Sequence, residues 1–139
     1  MKKFGLIGKT LSHSFSKKYF GDKFKKENIT DAQYELYELA QSSDLLELIK
    51  NNKGTLKGLN VTIPYKQDVL PLLKEIDPAA EKIGAVNVLK IADNGDIKGY
   101  NSDYYGFKTS LEQFMGQDTQ NCKALILGTG GASRAVKQA

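Results

Sequence analysis

Three short segments of this chain, and one asparagine outside them, hold side chains able to bind an acid and move a proton. His13-Ser14-Phe15-Ser16 sets two hydroxyls two residues apart, just ahead of a lysine-rich stretch. Hydroxyls and the unpaired N–H groups of a helix start can bind an anion such as a carboxylate, although Ser14 or Ser16 could equally cap the helix. Asn60-Val61-Thr62-Ile63-Pro64-Tyr65-Lys66 reads as a strand running into a helix. Asn60 and Thr62, two apart, then share one face of that strand. Lys66 falls at the helix start, where the macrodipole disfavours a cation, so its amine is either merely solvated or a proton-transfer group. In Asn101-Ser102-Asp103 the carboxylate stands at another helix start, where it is stabilised as an anion and needs no role beyond capping. Asn87, in Gly84-Ala85-Val86-Asn87, is polar within an apolar stretch and needs partners, either backbone or ligand.

A fourth segment points to a nucleotide. Cys122-Lys123-Ala124-Leu125-Ile126-Leu127 is an apolar run of strand length, followed by Gly128-Thr129-Gly130-Gly131-Ala132-Ser133. Strand, glycine turn and helix start together form the phosphate cradle of a dinucleotide-binding unit. A βαβ unit takes roughly 30 residues or more, and only eight follow Gly131.

The elements that must position these groups alternate. Phe4 to Gly8 reads as a first strand, and Phe15, Tyr19, Phe20 and Phe24 have helical spacing over 15–28. Tyr34 to Leu39 alternates like a strand, and Ser43 or Asp44 could cap a helix that ends at Asn51-Asn52-Lys53-Gly54. A strand is expected over 59–63, helices near 66–74 and 78–82, and a helix over 103–115. Runs 85–91 and 97–100 flank Asp93-Asn94-Gly95-Asp96, a strong hairpin signal. Ligands of open α/β sheets gather beyond the carboxyl ends of strands, which is where the four segments fall. The expected fold is a three-layer α/β sandwich with a mostly parallel, mixed sheet, followed by the start of a Rossmann domain.

Composition narrows the class. The 139 residues are 40% hydrophobic and 26% charged, as in an ordinary globular domain. No apolar run approaches the roughly 20 residues of a membrane span. The basic, then apolar N-terminus ends too soon for a signal peptide. One cysteine, Cys122, allows no intrachain disulfide and suits a reducing cytoplasm, and with one histidine a His/Cys metal site is not expected. Residues 1–30 carry eight lysines against Asp22 and Glu27. That basic stretch could meet a polyanion, but nothing aromatic interleaves with it as a nucleic-acid stacking platform requires.

Taken together, the motifs resemble the shikimate dehydrogenase family, whose members reduce 3-dehydroshikimate with NADPH in aromatic amino-acid biosynthesis. His13-Ser14-Phe15-Ser16 matches the family's H-S-x-S, Asn60 to Lys66 its N-V-T-x-P-F/Y-K, and Gly84 to Asn87 its G-A-V-N. Asn101-Ser102-Asp103 is similar to N-T-D, and Gly128 to Ser133 to G-x-G-G-A-S. The five motifs fall in family order across nearly the whole chain.

The resemblance implies a substrate domain over 1–115, a linker over 116–121, and a nucleotide domain that begins at 122 and stops early at 139. It implies that Ser14 and Ser16 hold the carboxylate of shikimate. Lys66 and Asp103 would flank the reacting alcohol, and Asn60, Thr62 and Asn87 would bond the ring hydroxyls or support those groups. Gly128, Thr129, Gly130, Gly131, Ala132 and Ser133 would meet the pyrophosphate of NADP. On this reading the 139 residues alone are not expected to turn over substrate. Residues 122–139 are expected to be weakly anchored, with an apolar strand free to pair with another copy of an otherwise monomeric or dimeric protein. Three departures stand out: Thr10 and Lys17 each stand where the family often has proline, and Ser102 replaces threonine but keeps the hydroxyl. A quinate/shikimate paralogue and a non-catalytic anion- or nucleic-acid-binding module are the alternatives.

Overall fold

The structure, a computed structural model, describes residues 1–116 and 123–139. Its elements in chain order are β1 (Lys2–Gly8), α1 (Ser16–Lys26), β2 (Ala32–Glu38), α2 (Asp44–Asn51), β3 (Leu56–Val61) and α3 (Tyr65–Asp68). There follow β4 (Glu75–Ile76), α4 (Pro78–Ile83), β5 (Val88–Ile91), β6 (Ile97–Tyr100), α5 (Ser102–Met115) and α6 (Gly131–Gln138).

The strands form one sheet in the order β2-β1-β3-β5-β6-β4. β1 runs parallel to both β2 and β3, and β4 parallel to β6, while β5 is antiparallel to β3 and β6. This is the mixed α/β sheet expected from the alternating pattern. Side-chain alternation sorts the residues into two layers of core. Ile7, Leu59, Val61, Leu89, Ile91 and Ile97 point to one face and bury Leu45 and Ile49 of α2, Tyr65 of α3 and Ala80 of α4. Phe4, Leu6 and Tyr34 point to the other face, against Phe20 and Phe24 of α1. Phe20 and Phe24 lie one helical turn apart, which puts both on the sheet side of an otherwise lysine-rich helix.

Two glycines shape the edge that carries the motifs. A Cβ at Gly8 would stand 2.7 Å from both Leu11 Cδ2 and Thr62 Cγ2, so a larger residue there would push the loop after β1 and the end of β3 apart or make their side chains shift. Gly84 ends α4 at φ 69°, a left-handed conformation that suits glycine, and turns the chain into Ala85-Val86-Asn87.

Several sequence expectations are corrected. The helix expected over 66–74 stops at Asp68 and gives way to a 3-10 turn over Leu70–Leu72. Pro71 is the cause, since it lacks an N–H and disfavours helical geometry at the residue before it. The two-residue β4 was not foreseen; it is too short to show a period and exists only through pairing with β6. The strand expected from Ala85 begins at Val88, because the Val86 N–H donates to the Lys66 carbonyl (2.8 Å) rather than to a sheet ladder. The apolar run 123–127 is not a strand, and Leu125 and Leu127 are each 86% exposed. A strand needs a neighbour to pair with, and the described residues give this one none. Of the expected linker, Gly116 closes α5 at φ 64°, while 117–121, like Cys122, lie outside the described residues. The helix after the glycine turn is anchored rather than loose: Ala135 is buried with Ile83 and Ala85, against Tyr104.

Two buried phenols give the fold an alkaline limit. Tyr65 donates to the Leu39 carbonyl at 2.6 Å, and its pKa is raised by burial first and then by the charges of Asp44 and Asp68. Burial pushes Tyr34 up to about 12, with the Ser16 hydroxyl beside it pulling the other way. An unfolded tyrosine ionises near 10. The folded chain therefore holds more protons above pH ~10, and stability falls with rising pH there. The phenols' contribution is complete below that pH and is lost as pH climbs through about 12 for Tyr34. Thermal melts from pH 8 to 12 are expected to show a falling midpoint above pH ~10, with a shallower slope in Tyr34→Phe. An identical slope in the variant contradicts the assignment.

Candidate active site

The seven residues singled out for substrate binding, Ser14, Ser16, Asn60, Thr62, Lys66, Asn87 and Asp103, all line one cleft of about 580 Å³, with Thr10, His13 and Phe20 among the other walls. That volume suits a small metabolite. The cleft sits at the carboxyl ends of β1 and β3, beside the start of α5, because parallel strands send their following loops to the same edge.

The most strongly organised part of the cleft is an ion pair. Lys66 Nζ donates to Asp103 Oδ2 at 2.6 Å, with the lysine side chain only 16% exposed. Both partners are fixed from behind. The Lys66 carbonyl accepts from Val86 N–H, which ties α3 to the segment leading into Asn87. Asn87, 8% exposed, donates from Nδ2 to Asp103 Oδ1 (2.8 Å) and to Ser102 Oγ (2.9 Å), while its Oδ1 accepts from the Ser102 backbone N–H (2.8 Å). The partners of this buried asparagine are thus the start of α5 and its carboxylate. One Asp103 oxygen meets a cation and the other an amide, which fixes the plane of the carboxyl group.

Two helix-end readings change. Asp103 is not the cap of α5: Asn101 is, accepting from Tyr104 N–H at 3.2 Å. Asp103 is therefore released from a capping role and turned toward Lys66. The helix behind Lys66 has only four residues, so the charge facing its ammonium is the Asp103 carboxylate more than a helix dipole. At α1 the capping alternative holds in part, since Ser14 Oγ accepts from Ser16 N–H at 3.2 Å.

Three positioning residues were not picked out from the sequence. Asn101 is 1% exposed and also donates to the Ala85 carbonyl at 2.9 Å, clamping α5 to the Gly84–Asn87 segment. Its place just ahead of a helix was the available signal. Ser102 was noted only as a departure from a motif. Tyr34 donates to Asn60 Oδ1 at 2.8 Å across β1, a contact that depends on sheet register and leaves no local trace.

The glycine turn packs against the cleft lysine. A Cβ at Gly131 would lie 3.1 Å from Lys66 Cβ and Cδ, so the start of α6 packs on the stem of the cleft lysine. Gly128 has φ 114°, and Thr129 and Gly130 are exposed at the helix N-terminus. Lys82, Arg134 and Lys137 border the adjoining hollow. Unblocked N–H groups and nearby cations suit a diphosphate, so these residues fit a dinucleotide. Among the described residues no group of three or more His, Cys, Asp or Glu could hold a metal, and no helix is long and apolar enough to cross a membrane.

Comparison with known proteins shows the family. A family model described as the shikimate dehydrogenase substrate binding domain matches residues 6–89. The chain belongs to the shikimate dehydrogenase substrate-binding domain family. A shikimate dehydrogenase (NADP(+)) of Clostridium beijerinckii is 47% identical over 138 residues, covering 98% of this chain and 49% of that protein. Shikimate dehydrogenase 1 from Peptoclostridium difficile superposes with a TM-score of 0.85 at 39% identity, covering 99% of this chain and 50% of that one. The Thermus thermophilus shikimate 5-dehydrogenase, solved with NADP(H) and shikimate, gives a TM-score of 0.82 at 30% identity, covering 99% and 51%. The chain therefore spans about half the length of the shikimate dehydrogenases it matches.

Proposed function

We propose that this chain supplies the substrate side of a shikimate dehydrogenase, for the reversible NADPH-dependent reduction of 3-dehydroshikimate to shikimate in the shikimate pathway. The observation that carries the reading is the Lys66–Asp103 pair, oriented by Asn87 and facing a cleft that also holds Ser14, Ser16, Asn60 and Thr62. The names of the relatives, and the shikimate and NADP(H) bound to one of them, support it. The single cysteine fits a cytoplasmic setting. On this reading residues 1–115 form the substrate domain and residues from 122 begin the nucleotide domain.

The chemistry follows from the groups in the cleft. Ser14 and Ser16 hydroxyls donate to the carboxylate of the ring acid. Asn60 and Thr62 bond ring hydroxyls. In the oxidative direction the reacting C–OH must lose both a hydride and a proton. Bound NADP would supply the hydride acceptor. The proton passes from the alcohol oxygen to the Lys66–Asp103 pair; in reduction the pair returns it to the carbonyl oxygen. Before that transfer, the Lys66 ammonium offers a hydrogen bond to the ketone oxygen and favours the charge that builds there. The N–H groups and hydroxyls of Gly128 to Ser133 would receive the diphosphate, and the contact of Gly131 with Lys66 brings that turn beside the proton-transfer pair.

Turnover is expected from a whole-length protein rather than from these residues. With shikimate and NADP, nicotinamide absorbance is expected to stay flat for the 139-residue chain. It is expected to rise once the second half of the Clostridium beijerinckii relative is joined to it. Turnover by the 139 residues alone, or a joined protein that oxidises another acid but not shikimate, contradicts the proposal.

A further inference from the structure

Asn60 faces the cleft, but its orientation is set from outside it. Its Nδ2 points at the Asn87 main-chain oxygen at 3.5 Å, an acceptor that cannot donate. The nitrogen must therefore lie on that side and Oδ1 on the other, where the Tyr34 hydroxyl donates to it at 2.8 Å. Tyr34 is held in turn: its ring stacks on Phe20 of α1, with centroids 4.4 Å apart and planes 14° from parallel, and the residue is 6% exposed. Tyr34 and Asn60 sit on β2 and β3, on either side of β1, with Tyr34 opposite Phe4 and Asn60 opposite Leu6. Strands two apart are separated by roughly 10 Å, a gap that a tyrosine spans and a shorter polar side chain does not. Among the described residues, Asn60 Nδ2 makes no other hydrogen bond, so an N–H remains for a ligand in the cleft.

We propose that Tyr34 is a positioning residue that locks the Asn60 carboxamide with its N–H side toward the cleft, so that the site selects a ring carrying an oxygen acceptor at that place. This rests on the reading of the cleft as the shikimate site. Without the phenol hydroxyl, Oδ1 loses its donor and the amide is free to turn, presenting an oxygen where the ring needs a donor. A site built to bond a hydroxyl discriminates through the polar group that a wrong ligand leaves unpaired. Burial keeps Tyr34 protonated well past neutral pH, so its donor role holds across the working range.

The test uses the 139-residue chain, with shikimate as the probe and a double-mutant cycle as the readout. Tyr34→Phe is expected to raise the shikimate Kd by roughly 3- to 10-fold, and to have no further effect in an Asn60→Ala background. A purely structural role for Tyr34 predicts the same loss in both backgrounds and overturns the proposal, as does an unchanged Kd. A ligand-free readout separates this from the functional reading. The Asn60 carboxamide 13C resonance, assigned by its absence in Asn60→Ala, is expected to move upfield in Tyr34→Phe; a stationary resonance overturns the proposal even if shikimate does not bind. Failure of the wild-type chain to bind shikimate, with that resonance moving, refutes the substrate instead. If Tyr34→Phe does not fold, the same resonance in the wild-type chain must follow the Tyr34 phenol as it ionises in alkali, and one that does not follow overturns the proposal.

Discussion

Replacing Lys66 by alanine in the joined protein is expected to lower kcat for shikimate by about 10²- to 10⁴-fold, the range that a positioned proton-transfer group contributes. The expectation rests on geometry. Lys66 is the cation in contact with Asp103 in the cleft, and its side chain is mostly withdrawn from water. Water can replace a solvated lysine, but it cannot reproduce a charge held 2.6 Å from a carboxylate that is itself bonded to Asn87. Asp103→Asn should fall in the same range, since it keeps the shape and removes the charge. The double variant should lose little more than either single one, because the two groups work as a unit. Initial rates at saturating shikimate and NADP check this. A Lys66→Ala loss below about tenfold would remove the lysine from the chemistry.

Asn101→Ala is expected to destabilise the chain by about 2 to 4 kcal/mol, a fall of roughly 10 °C in Tm. One side chain performs two buried tasks there: Oδ1 caps the first turn of α5, and Nδ2 satisfies the Ala85 carbonyl. Alanine leaves a helix N–H and a carbonyl without partners in a place that is 1% exposed. Asn101→Ser keeps a capping oxygen but cannot reach Ala85, so an intermediate loss is expected. Because the same clamp holds Asp103 and Asn87 in register, the alanine variant should also lose turnover at temperatures where it remains folded. Urea melts with a fitted slope measure the stability term; a loss below about 0.5 kcal/mol would show that the clamp is redundant.

How much could be read beforehand depended on whether the determining contact was local. Ser14, Ser16, Asn60, Thr62, Lys66 and Asp103 drew attention because they follow strands, whose carboxyl ends share an edge, and Asn87 because it is polar in an apolar stretch; the structure brings all seven to one cleft. The hairpin around Asn94-Gly95 was readable because its turn chemistry lies within the segment. What could not be read was set by partners far along the chain. Pro71 shortened α3, yet the strand at Glu75–Ile76 exists only because β6 lies beside it. Tyr34 stood only as the first residue of an alternating strand; its hydroxyl contact with Asn60, 26 residues away, follows from sheet order. Asp103 passed for a cap until Asn101 was seen to fill that place. The helix after the glycine turn is held by small-residue packing of Ala135 on Ile83 and Ala85, which no periodicity in so short a segment announces.

The central claim is that the cleft between the end of β3 and the start of α5 binds shikimate through these residues. It is tested most directly by titrating the isotope-labelled 139-residue chain with shikimate and following its amide and side-chain resonances. Saturable shifts confined to Ser14, Ser16, Asn60, Thr62, Lys66, Asn87, Asp103 and their neighbours, weakened in Lys66→Ala, are the result expected. No saturable shift, or shifts centred elsewhere that Lys66→Ala leaves unchanged, would contradict the account.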